Sequence, residues 1–141
     1  MNLTAKAEYA CLAVLELAQH FENKQPVQVR RIAERHGIPS QFLVQILQDL
    51  KRAGLVNSTR GAAGGYRLTQ SPEEVTLAEV LEVVEGSSEP TTCASATSPL
   101  APVLLDVCNE LSAARHQHLS GITLADLVAC AKVEVGPMWY I

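Results

Sequence analysis

The sequence predicts a mainly α chain that carries one small β-hairpin and ends in a long helix followed by a short one. Three observations predict it. Apolar residues recur every three or four positions in six separate segments, the helical period. Two of those segments are joined by only the short Gly37-Ile38-Pro39 turn. Directly after them, two short extended runs flank the glycine-rich stretch Arg60-Gly61-Ala62-Ala63-Gly64-Gly65.

Taken in order, the first helix is expected from Leu3 to about Phe21, with Leu12, Leu15 and Ala18 at helical spacing, and Pro26 forbids its continuation. Val27 to Gly37 gives a second helix with Val29, Ile32 and Ala33 on one face and Gly37 as its C-terminal cap. A third follows from Ser40, its expected N-cap, with the stripe Phe42, Leu43, Ile46, Leu47 and Leu50, and closes at Gly54. Leu55–Ser58 and Gly65–Leu68 are the expected hairpin strands. A hairpin placed directly after the second member of a helix-turn-helix is a wing. Thr76-x-x-Glu79 then marks a helix start, and Gly86 its end. Residues 87–99, rich in Ser, Thr and Pro, form a loop. From Leu100 the spacing of Val103, Leu104, Val107 and Leu111 gives a helix to about Leu119, and Thr123-x-x-Asp126 caps a shorter one to about Ala131. The expected organisation is a winged helix-turn-helix domain over 1–86, a loop over 87–99, a long helix with a short capping helix over 100–131, and a tail over 132–141 broken by Gly136-Pro137.

Composition narrows the class. With 48% hydrophobic and 18% charged residues in 141, the chain can build a core and is not intrinsically disordered. No apolar run approaches the roughly 18 residues that cross a bilayer, and MNLTAKAEYA has no signal-peptide pattern, so a cytoplasmic protein away from membranes is expected. Cys11, Cys93, Cys108 and Cys130 are widely spread, with no CxxC pair and no zinc-finger spacing, and are expected to be reduced thiols. No Ser/His/Asp grouping or phosphate loop marks an enzyme.

The net charge of −4 hides an asymmetry. Residues 1–70 hold nine cations and five anions, a net +4, while residues 71–141 hold two cations and ten acids, a net −8. Such segregation arises by chance in small proteins, but it is also the pattern of a chain whose first half meets an anionic partner. In a helix-turn-helix the N-terminal end of the second helix faces base edges in the major groove of double-stranded DNA. Here that end offers Ser40, Gln41 and Gln45, and Gln can bond adenine N6 and N7 together. Arg30 and Arg31 before it and Lys51 and Arg52 after it suit phosphates. Arg60, beside glycine, suits a narrow minor groove. The stripe Leu100, Val103, Leu104, Val107, Leu111 has few obvious partners in its own chain. Self-association would cover it, and so would packing back on the core.

The motifs Leu3-Thr4-x-Lys6-x-x-Tyr9-Ala10, Ile32-Ala33-Glu34 with Gly37-Ile38, and above all Ala53-Gly54-Leu55-Val56-x-Ser58-x-Arg60-Gly61-x-x-Gly64-Gly65-Tyr66-x-Leu68 resemble the IscR/CymR-type (Rrf family) winged helix-turn-helix regulators. Val84-Glu85-Gly86 and Ile122–Leu127 extend the resemblance over nearly the whole chain. It implies a homodimeric bacterial transcription factor whose long C-terminal helix crosses to the partner protomer. The family's DNA contacts map onto Gln41, Phe42, Gln45 and Arg60, with Gly61, Gly64, Gly65 and Tyr66 shaping the wing. One departure is Val44, where some members carry Glu.

Many members hold an iron–sulfur cluster through a pattern resembling C-x5-C-x5-C-x2-H. Laid over this chain from Cys93, the positions read Cys93, Pro99, Leu105 and Cys108, and the two central residues have no ligating atom. Glu8 and Cys11 on the first helix are the other candidates. The expectation is therefore no cofactor, with a cluster-bearing or thiol redox sensor as the alternative. The cluster-free cysteine-metabolism repressors of the family end similarly to Met138-Trp139-Tyr140-Ile141. This resemblance implies that Trp139, Tyr140 and Ile141 dock in O-acetylserine sulfhydrylase. A tail packed on its own fold or on the dimer mate is the competing arrangement, and an adaptor that has lost DNA binding is the reading from another class.

Overall fold

The computed structural model describes residues 3–62, 64–86 and 97–138, with the backbone alone for 133–138. Among these residues the order is α1 (Ala5–Gln19), α2 (Val29–His36), α3 (Ser40–Arg52), β1 (Val56–Thr59), β2 (Gly65–Leu68), α4 (Leu77–Glu85), α5 (Ala101–Ser120) and α6 (Leu124–Met138). The mainly α chain with a two-stranded antiparallel wing is thus present.

Local chemistry explains most boundaries. Thr4 accepts the Ala7 N–H at 3.1 Å and starts α1. Gly37 ends α2 at φ 65°, and Ile38 then donates back to the Ala33 carbonyl at 3.0 Å. Thr76 caps α4 by accepting the Glu79 N–H at 3.3 Å. At the start of α6, Thr123 and Asp126 exchange bonds: the Thr123 N–H donates to Asp126 Oδ2 at 3.0 Å, and the Asp126 N–H to Thr123 Oγ1 at 3.1 Å.

Three boundaries differ from expectation. Ser40 is the first helical residue of α3 and not its cap, because Pro39 already holds the extended conformation of an N-cap, with φ −58° and ψ 128°. Strand β1 runs one residue later than expected, at Val56–Thr59, so that Val56 pairs with Leu68 and both side chains enter the core. Helix α6 does not stop near Ala131 but continues to Met138, through Gly136 and Pro137. A proline deletes one backbone donor, and near the end of a helix that loss interrupts little of the ladder. Trp139, Tyr140 and Ile141, like Cys93, lie outside the described residues.

The core joins Val14 and Leu17 of α1, Ile32 of α2, Leu43, Ile46, Leu47 and Leu50 of α3, Val56 and Leu68 of the wing, Val80 of α4 and Leu124 of α6. Helix α6 therefore returns to α1, held at its start by Leu124 donating to the Val75 carbonyl at 2.9 Å and Leu77 donating to the Ile122 carbonyl at 3.0 Å.

One charged group is buried among these apolar residues. Glu16 on α1 is 1% exposed and accepts from Arg35 Nη1 at 2.9 Å, which ties α1 to the end of α2. His20 Nε2 and His36 Nε2 stand 3.6 Å and 3.5 Å from its two oxygens.

Candidate nucleic-acid interface

Helix α3 turns one apolar face inward and leaves the other free. At about 100° per residue, Leu43, Ile46, Leu47 and Leu50 lie on one side, and Gln41, Val44, Gln45 and Gln48 share an arc of about 100° on the opposite side. The first four are buried and the second four exposed. Ser40 is exposed at the helix start. Phe42 sits between the two faces. Its ring meets Tyr9 edge-on, with centroids 5.7 Å apart, and it stays partly in solvent. Val44 and Gln48 complete this free face. Their helical spacing from Gln41 and Gln45 was the available signal, but an isolated valine reads as core.

The wing is held against the helix-turn-helix by three connections. Val27 and Tyr66 exchange backbone bonds at 2.9 Å each, so the α1–α2 loop acts as a third strand segment beside β2. Gln28 Nε2 donates to the Ala62 carbonyl at 3.0 Å, and Lys51 Nζ to Ser58 Oγ at 2.6 Å. This packing explains the paired glycines. A Cβ on Gly65 would fall on the Val27 carbonyl, and one on Gly64 on the Thr59 carbonyl. Gly61 turns the chain at φ 106°. Tyr66 is half-buried against the core, so its main part here is to anchor the wing.

The five cations singled out by sequence divide into two groups. Arg30 is bonded to Glu34 at 3.0 Å and Arg52 to Asp49 at 2.8 Å; Asp49 also meets Lys6 at 3.4 Å. Arg31, Lys51 and Arg60 are exposed and have no carboxylate partner among the described residues. Arg31 lines one cleft with Gln28 and Gly64, which sets it beside the wing turn. Arg35, another cation of this half, is committed to Glu16.

Helix α5 is joined to α4 by Arg115, 3.1 Å from Glu85. Its apolar stripe does not pack back: Leu100, Val103, Leu104, Val107 and Leu111 are between 58% and 73% exposed. A contiguous apolar row of this kind is a feature of interaction surfaces.

The cysteines are the candidate ligands for an iron–sulfur group. Cys11 packs against the core, and burial, with the charge of Glu85 second, pushes its thiol up to about 11. Glu8 is exposed on the same helix, and Cys108 and Cys130 are exposed. Pro99 and Leu105 offer no donor atom. No group of three or more His, Cys, Asp or Glu side chains is placed to hold a metal among the described residues. The described residues alone do not make up a ligand set, and Cys93 lies outside them. The raised pKa has a measurable consequence. At pH 8 about one Cys11 thiol in a thousand is ionised, and the fraction rises tenfold per pH unit toward 11. Mass-mapped alkylation is expected to label Cys108 and Cys130 first and Cys11 far more slowly, with its rate climbing steeply with pH. Equal labelling of all three at pH 8 would contradict this burial.

A wing braced against an exposed helix-turn-helix face defines a winged-helix transcriptional regulator. Residues 3–130 match the family model Rrf2, described as an iron-dependent transcriptional regulator. The chain belongs to the Rrf2 family. It is 36% identical over 140 residues to the HTH-type transcriptional regulator IscR of Aliivibrio salmonicida, covering 95% of this chain and 81% of that protein. Among solved structures, T. potens IscR superposes with a TM-score of 0.76 at 34% identity, covering 93% of this chain and 88% of the other. CymR, the global cysteine regulator of B. subtilis, gives 0.68 at 28%, covering 92% and 97%. The family description names iron, and the described residues do not by themselves supply a ligand set for it. No described helix is long and apolar enough to cross a membrane.

Proposed function

We propose that this chain is a homodimeric, sequence-specific DNA-binding repressor of cysteine or sulfur metabolism genes. The observation that carries the DNA-binding part is the free face of α3, with hydrogen-bonding side chains and unpaired cations at its margins. In this reading Ser40, Gln41, Phe42 and Gln45 meet the major groove. Arg31 and Lys51 neutralise phosphates directly, and Arg30 and Arg52 exchange their carboxylate partners for phosphate. The wing, shaped by Gly61, Gly64, Gly65 and Tyr66, carries Arg60 into the minor groove. The α5 stripes of two copies cover one another.

Arg60→Ala tests the wing. Operator affinity is expected to fall about tenfold, and the slope of log affinity against log salt to flatten by about one. Unchanged affinity and slope would remove Arg60 from the interface.

The metabolic part rests on the likeness to the B. subtilis cysteine regulator and on the Trp139-Tyr140-Ile141 ending. The aromatic pair followed by Ile141 is the part of the sequence that suits capture by O-acetylserine sulfhydrylase. Deleting residues 139–141 is expected to abolish binding to that enzyme in calorimetry while leaving DNA affinity intact. Equal binding by the truncated chain would exclude the docking. The family description favours a second reading, an iron–sulfur or thiol redox sensor of the same fold. Visible absorption bands in anaerobically purified protein would select it.

A further inference from the structure

Resting on the DNA-binding reading above, we infer that α3 reads a run of consecutive A·T pairs, with Val44 and Gln48 acting beside Gln41 and Gln45 as specificity-determining residues. Along the first three turns the free face of α3 presents three primary amides and one branched aliphatic side chain, all exposed. It presents no cation there. Both cations lie in the last turn, beyond Gln48: Arg52 pairs with Asp49 at 2.8 Å, and Lys51, its charge left for phosphate, leans to Ser58 of the wing at 2.6 Å.

The chemistry of the base edges then discriminates. In the major groove adenine shows an acceptor at N7 beside a donor at N6, which satisfies both ends of one glutamine amide. Guanine shows two acceptors, N7 and O6, which leave the amide oxygen unpaired and suit Arg or Lys instead. Thymine adds a C5-methyl group, the one apolar feature on the groove floor, and Val44 is the matching surface. An exposed valine costs solvation in the free protein and gains it back against that methyl. The wing points the same way: A·T tracts narrow the minor groove and deepen its negative potential, where an unpaired Arg60 is drawn in. Major-groove and minor-groove chemistry thus favour the same base pairs.

The test uses full-length protein and selection from a random DNA pool at one fixed salt concentration. Single-atom base analogues are then placed in the selected site. The expected site has uninterrupted A·T pairs under α3. Thymine→uracil at the position facing Val44 should weaken binding about 3- to 10-fold in the wild type and hardly at all in Val44→Ala. Replacing adenine by 7-deazaadenine under the glutamines should cost about tenfold, and Gln48→Ala should remove part of that sensitivity. Replacing guanine by 7-deazaguanine anywhere in the half-site should leave affinity within about twofold. An obligate guanine in the α3 contact, lost tenfold or more with 7-deazaguanine, would overturn the inference while leaving DNA binding intact. Enrichment of no sequence at all would overturn the DNA-binding reading on which it rests.

Discussion

Replacing Leu104 and Leu111 by glutamate is expected to turn a dimer into a monomer and to cost at least 100-fold in operator affinity. Both side chains are about three-fifths exposed in the single chain, so the fold has no use for them. Burying a leucine against a partner contributes about 2 kcal/mol, and in a two-fold interface each residue counts twice. Two added carboxylates per chain, four across the interface, replace that gain by desolvation and mutual repulsion. The DNA effect follows from linkage. Two half-sites bound by one dimer share one association step, whereas two monomers must each bind separately. Light scattering should give the 15.2 kDa chain mass for the variant and twice that for the wild type. The thermal unfolding of the monomeric variant should no longer depend on protein concentration. A variant that stayed dimeric would show that α5 is covered by something other than its copy.

The elements fixed by local chemistry are legible in the sequence itself. Thr76, Thr123 with Asp126, Gly37 and Gly86 each act within a few residues of where they stand, so their roles follow from spacing alone. The wing glycines were legible as a turn, but the reason for the second one was not. Gly65 is forced by the Val27 carbonyl, which lies 38 positions earlier in the chain. The exposure of the α5 stripe was half legible: its spacing gave an apolar face, and only the packing decided between solvent and core. Charge counting was the weakest guide to the candidate interface. It treated Arg30, Arg35 and Arg52 like Arg31, Lys51 and Arg60, although the first three have carboxylate partners and the second three have none among the described residues. Helix α6 was expected to cap the long helix, yet its first buried residue, Leu124, enters the core with α1.

Glu16 enters the sequence reading only as one of the five anions of residues 1–70, yet it carries the largest expected effect on stability. Its carboxylate is shielded from water by α1 and α2, and Arg35 is its one hydrogen-bond partner among the described residues. Its second oxygen, like His20 Nε2 and His36 Nε2, is buried without a bond. Arg35→Ala removes the bond and leaves the buried carboxylate with the His20 and His36 imidazoles, 3.6 Å and 3.5 Å away, as its polar neighbours among the described residues. Breaking a wholly buried pair costs about 3–5 kcal/mol, and since Arg35 itself is half exposed and partly screened, about 2–3 kcal/mol is expected here. That corresponds to a Tm lower by about 10 °C for a chain of this size. Glu16→Leu in the same background removes the stranded charge and is expected to recover more than half of the loss, because an apolar side chain of similar volume suits the site. The double variant separates two roles. If the ion pair serves stability alone, recovered stability brings full DNA binding with it. If the pair also fixes the angle at which α2 leaves α1, and through the turn the pose of α3, the double variant should regain its Tm and still bind the operator several-fold more weakly. A double variant no more stable than Arg35→Ala would mean that Glu16 was never a stranded charge in the first place, and that water reaches it.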